Sequence, residues 1–83
     1  MDEKEFVSKV KSIIASKHLL SIDNVYAVWL CKTLQNNKGL FSTTVEDGLY
    51  YEATYNGDTD ELYLDRYVKQ NNECILEFSK IVF

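Results

Sequence analysis

The 83-residue sequence predicts an α+β domain, with one N-terminal amphipathic helix packed on a four- to five-stranded antiparallel meander sheet. Three observations carry this. Apolar residues recur at helical spacing near the N-terminus, two alternating tyrosine-rich runs flank Asn56-Gly57, and short polar reversals separate the apolar runs that follow Asn24. With no proline, three glycines and no shift in composition there is no candidate linker, so residues 1–83 are expected to form a single domain. A chain of this size buries only roughly 60% of its unfolded surface, and its eleven Phe, Trp and Tyr residues are large units of core.

The helix is expected from about Asp2 to Leu19, because Phe6, Val7, Val10, Ile13 and Ile14 share one stripe while Lys4, Lys9, Lys11 and Ser12 lie elsewhere. Asp2, with Glu5 three positions on, resembles a capping box. Asp2, Glu3 and Glu5 suit the positive end of the helix dipole, and Lys17 and His18 its negative end. No glycine marks the stop, so the helix can run through Leu20 before Ser21–Asn24 breaks its period.

Val25–Leu34 reads as the first strand, apolar on both faces and therefore expected at the centre of the sheet with Trp29 in the core. Gln35–Gly39 has turn composition, and Leu40–Val45 is a second strand whose Ser-Thr-Thr centre suggests one solvated face. Glu46-Asp47-Gly48 is the next reversal. It leads into the hairpin Leu49–Val68, where Asn56-Gly57 is the signature of a type I′ turn with two positive-φ residues. A two-residue loop pairs Tyr51 with Leu62, and a four-residue loop, Asn56–Thr59, pairs Ala53 with Leu62 and Tyr51 with Leu64. The longer loop is preferred because the shorter sets Glu52 opposite Glu61. Both registers put Leu49, Tyr51, Ala53, Tyr55, Leu62, Leu64 and Val68 on one face and Tyr50, Glu52, Thr54, Tyr63, Asp65 and Tyr67 on the other.

After the polar stretch Lys69–Glu73, Cys74–Phe83 alternates as a last strand, with Arg66 opposite Glu77 in the favoured register. One helix covers only one face of such a sheet. Its second face calls for a partner, a second copy of the chain, or curvature of the cystatin-like kind around the helix.

A net charge of -4 and few clustered Lys or Arg residues argue against general affinity for nucleic acid or anionic membranes. The acidic N-terminus and the lack of a long apolar run point to the cytoplasm rather than to export or membrane insertion. Cys31 and Cys74 lack metal-ligand spacing and are expected as reduced core residues.

No nucleophile triad, phosphate loop or metal-ligand pair is present, so no cofactor and no enzymatic activity is expected. His18, the only histidine, has no carboxylate or cysteine at helical spacing and reads as a dipole-compensating or exposed residue. Asn56-Gly57-Asp58-Thr59-Asp60-Glu61 has oxygen side chains at alternate positions, as calcium loops do. It lacks the helices and the terminal bidentate glutamate, and reads as a solvated turn. The tyrosine face stands out: Tyr50, Tyr63 and Tyr67, interleaved with Glu52 and Asp65, are the partner-binding candidates, since aromatic residues with polar tips are enriched at interfaces and also pair across strands.

The run Val28-Trp29-Leu30-Cys31-Lys32-Thr33-Leu34-Gln35-Asn36-Asn37-Lys38, then Ser42-Thr43-Thr44, Asp47-Gly48, Tyr50-Tyr51-Glu52 and Thr54-Tyr55-Asn56-Gly57-Asp58, resembles a family of small uncharacterised phage and prophage proteins of Gram-positive bacteria. The resemblance spans most of residues 1–70 and brings no catalytic residue with it. It implies a phage-encoded protein of the bacterial cytoplasm and favours a binding module that blocks a host factor. The expected function is thus non-enzymatic binding of a host or phage protein, with homodimerisation as one way to cover the second face. A nucleotide-sequestering protein, with Lys32 or Arg66 beside aromatic groups, and a small hydrolase are the alternatives.

Overall fold

The computed structural model describes residues 1–45 and 48–82. Helix α1 (Glu3–His18) and a 3-10 turn (Ile22–Asn24) precede strands β1 (Val25–Thr33), β2 (Asn36–Thr43), β3 (Leu49–Asn56) and β4 (Glu61–Val68). The strands form one antiparallel sheet in the order β1-β2-β3-β4, which is the expected α+β meander. Among the described residues, no helix is long and apolar enough to cross a membrane.

Helix α1 rests on β1 and β2 through Phe6, Val10, Ile14 and Ala15, which close over Val25, Phe41, Tyr51 and Ala53. Phe6 meets Phe41 edge to face, with ring centroids 6.2 Å apart. Ile14 is the fully buried centre of the stripe. A helix turns about 100° per residue, so Ile13 falls at the stripe's rim and is 37% exposed rather than in the core as expected. Asp2 is the N-cap, but its side chain makes no capping bond. The helix stops at His18 because Leu19 turns left-handed (φ 55), and the amides of Leu19 and Leu20 return to the carbonyls of Ser16 and Ala15.

Strand β1 is an edge strand, not the central one, and its two-faced hydrophobicity comes from a β-bulge. Ala27 pairs with Phe41 and Trp29 with Leu40, so Val28 is the extra residue and the alternation reverses across it. Leu30 thereby turns inward and Trp29 outward. The following turn is only Leu34-Gln35, since Thr33 pairs with Asn36. Gly39 lies inside β2 instead of in the turn, where a Cβ would sit 2.8 Å from Cε1 of Phe41 and 2.9 Å from Cδ2 of Leu30. Asn37 is buried on the same strand, and among the described residues neither of its amide atoms has a partner.

The β3–β4 hairpin keeps the expected faces but not the expected register. Asn56 pairs with Glu61 and Tyr51 with Arg66, a slip of two residues from the preferred pairing that preserves the parity of both strands. The loop is Gly57–Asp60, and its left-handed residue is Asp60 (φ 55), not the Asn-Gly pair of a type I′ turn. Gly57 is required for close approach instead, because a Cβ there would lie 2.3 Å from the carbonyl oxygen of Gln35. Asn56 Oδ1 accepts from the Asp58 amide at 2.9 Å, Asn36 Oδ1 accepts from the Gly57 amide at 3.2 Å, and the Tyr55 hydroxyl donates to Asp60 Oδ1 at 2.9 Å. The oxygens that resembled a calcium loop therefore build the turn.

The expected fifth strand is absent among the described residues of 74–82. Glu77 has φ 54 and Phe78–Lys80 forms a 3-10 turn, which breaks extension in mid-segment. With α1 lying over β1 and β2, there is no apolar cover beyond β4 to offset the entropy of ordering a fifth strand. Ile75, Leu76, Phe78, Ile81 and Val82 are consequently exposed, and the radius of gyration is 15.3 Å against about 12 Å for a compact chain of this length. Cys74 lies on this segment and Cys31 on the outer side of β1, and both thiols are exposed rather than buried. Of the Glu46-Asp47-Gly48 reversal, Glu46 and Asp47 lie outside the described residues, as does Phe83.

Two expected outcomes follow from the turns. Leu34 is left-handed (φ 56) and 81% exposed, so Leu34→Gly sheds backbone strain with little packing to lose and should stabilise the fold by about 1 kcal/mol, read from the urea midpoint. The hydrogen bond to Asp60 raises the Tyr55 hydroxyl pKa above its ordinary value, with desolvation and the charges of Asp60 and Glu5 adding to it. A folded pKa above the unfolded one gives stability that is complete below the ordinary tyrosine range and is lost as pH rises through the folded pKa. Asp60→Asn should move one tyrosinate transition down in an ultraviolet pH titration and shrink that alkaline loss.

Candidate protein-binding face

The side of the sheet turned away from α1 is built from three rows of paired residues. In the first row Tyr26 faces Ser42, which neighbours Tyr50, which pairs with Tyr67. The second row runs Trp29, Leu40, Glu52, Asp65, and the third runs Cys31, Lys38, Thr54, Tyr63. All five sequence candidates, Tyr50, Glu52, Tyr63, Asp65 and Tyr67, therefore share one face. Three residues missed in the sequence join them: Tyr26, Trp29 and Leu40. The unbroken apolar run Val28-Trp29-Leu30, where strict alternation fails, was the sign that Trp29 could change sides.

Exposure divides this face into a support and a rim. Ser42 is buried and donates to the Leu49 carbonyl at 2.9 Å, which closes the floor between β2 and β3. Tyr50, Leu40 and Glu52 are half-buried along the middle strands. Trp29 is 41% exposed on one flank, and Tyr63 and Tyr67 are 58% and 50% exposed on the other. No element of the described chain covers these rings.

The charges are arranged unevenly. Glu52 faces Asp65 directly, the kind of like-charged pair used above to choose a register, and Lys38 relieves it by reaching Glu52 at 3.4 Å. Cross-strand repulsion was thus offset from a third strand. Asp65 has no ion pair among the described residues, so the face carries one unmatched carboxylate beside its aromatic flank. Of the cations proposed for nucleotide binding, Lys32 bonds the Leu34 carbonyl at 3.1 Å and Arg66 pairs with Tyr51 on the helix side. Neither is on this face. No group of three His, Cys, Asp or Glu side chains among the described residues is placed to hold a metal ion.

A family model, described as a family of unknown function, matches residues 3–77, from the first residue of α1 to the left-handed Glu77. The chain belongs to DUF6275. No curated protein and no solved structure matches it. The DUF6275 match takes in the helix and all four strands, and so every residue of the face just described.

The arrangement of charges has a measurable consequence for this DUF6275 member. Lys38→Met should leave Glu52 against Asp65 and cost roughly 0.5–1 kcal/mol of stability in urea unfolding at low salt, with less lost at high salt. Adding Asp65→Asn to Lys38→Met should recover most of the loss.

Proposed function

We propose that this DUF6275 chain is a small non-enzymatic binding module that acts by docking its open sheet face on a protein. In this reading the chain is phage-encoded and works in the cytoplasm of its bacterial host, where it binds a host or phage protein and blocks it, a host defence factor being one such target. The observation that supports it is the uncovered set Tyr26, Trp29, Leu40, Tyr50, Tyr63 and Tyr67 on one face. Trp and Tyr in such a setting are the residue types that dominate binding energy.

The chemistry of the face favours a partner of complementary character. A complementary surface presents apolar side chains to the aromatic rows and an Arg or Lys to Asp65, whose carboxylate lacks an ion pair among the described residues. Four strands of eight or nine residues, about 4.8 Å apart, give a face of about 500 Å², below the roughly 800 Å² per partner of a standard interface. A partner with an interface of standard size therefore also contacts surface beyond this face.

Affinity capture from the bacterial host, repeated with face variants, tests this. A protein held by the wild type should bind the purified chain directly and lose at least about 30-fold in affinity with Trp29→Ala or Tyr67→Ala, as for residues worth 2 kcal/mol or more. Arg66→Met, on the helix side, should leave that affinity unchanged. Partners that ignore both face variants would overturn the reading. So would sedimentation showing a micromolar dimer broken by Trp29→Ala, which would assign the face to a second copy.

A further inference from the structure

On the helix side of the sheet, beyond the C-terminal end of α1, Lys17 and His18 meet Tyr51 of β3 and Leu64 and Arg66 of β4 around a cleft of about 440 Å³. The cleft exists because α1 lies mainly over β1 and β2 and leaves the inner side of β4 only partly covered. His18, expected to be exposed or merely dipole-compensating, is half-buried here. Its Nε2 is hydrogen-bonded to the Tyr51 hydroxyl, and the two rings meet edge to face at 5.4 Å, which holds the imidazole at the cleft wall.

The electrostatics run against the rest of the molecule. The chain carries thirteen Asp and Glu residues against nine Lys and Arg, yet none of the described residues that line this cleft is a carboxylate. The ion pairs among the described residues are Lys9 with Glu5, Lys38 with Glu52 and Lys80 with Glu77, so Lys17 and Arg66 are in none of them. The helix dipole accounts for Lys17 and His18 at a C-terminal turn. It does not account for Arg66, which occupies an inward position of β4 between Leu64 and Val68, where alternation calls for an apolar side chain. A guanidinium and an ammonium with no acid between them among the described residues form a site for a doubly charged anion, Arg as a two-toothed donor and Lys as a point charge. The cleft volume is within the range of small-molecule sites.

We infer that this cleft binds the phosphoryl group of a small phosphate monoester. Arg66 and Lys17 hold the dianion, and Leu64 lies against the organic body. The site is on the opposite side of the sheet from the protein-binding face and stands or falls independently of it. The test is an NMR titration of the isotope-labelled full chain with phenyl phosphate, inorganic phosphate, succinate and chloride at constant ionic strength. Phenyl phosphate should give saturable shifts confined to residues around His18, Tyr51 and Arg66, with Kd on the order of 1 mM or tighter, and inorganic phosphate should bind the same residues more weakly. Arg66→Met and Lys17→Met should each weaken binding about 10-fold or more, Arg66→Lys less, and Trp29→Ala not at all, with urea midpoints confirming that each variant folds. Shifts that do not saturate, equal shifts from chloride, tighter binding of succinate, or unaltered binding by Arg66→Met would each overturn the proposal.

Discussion

The off-centre seat of α1 is the contact on which the rest of the molecule depends. Phe6, Val10 and Ile14 form one buried line above Phe41, and Gly39 keeps its Cβ out of the space that Phe41 and Leu30 fill. A single helix can lie over only about two strands, since strands are about 4.8 Å apart and a helix with side chains is about 10 Å wide. Placed over β1 and β2, it completes a core there. It also leaves the inner side of β4 open, and with it the Lys17–Arg66 cleft, while nothing in the described chain reaches the outer face.

The Val28 bulge determines the character of that outer face. Without it Trp29 would follow Val25 and Ala27 into the core, and Leu30 would point to solvent. One inserted residue exchanges the two, so the largest side chain of the protein joins Tyr26 on the open side of an edge strand. The bulge thus couples core packing to the make-up of the outer face. Leu30 fills the place beside Gly39 that a tryptophan would overfill.

Several positions depart from local preference and mark where tertiary contacts prevailed. Leu34 and Asp60 are left-handed without being glycine, and Asn37 is buried with an amide that lacks partners among the described residues, a cost of about 1–3 kcal/mol. Glu52 faces Asp65 under the control of Lys38. In a chain of 83 residues with modest burial, each is a sizeable fraction of total stability. Gly57 is the reverse case. Its residue type was legible as a turn signal, but the reason for it is the Gln35 carbonyl of the neighbouring hairpin loop, not its own φ.

By itself the sequence determined the class of fold, the helix with its Phe6–Val10–Ile14 line, the existence of four strands, and the two faces of β3 and β4. These follow from periodicity, which every register of the right parity preserves; a slip of two residues moved partners without moving any side chain across the sheet. It also placed Tyr50, Glu52, Tyr63, Asp65 and Tyr67 together, for the same reason. Only tertiary structure decided that Trp29 faces outward, that Ile13 sits at a rim, that His18 meets Tyr51, and that Cys74–Val82 is not a strand. Each of those turns on where one element lies against another. A bulge, a helix displaced toward β1, and the lack of cover beyond β4 are properties of packing across long sequence separations, on which hydrophobic period carries no information.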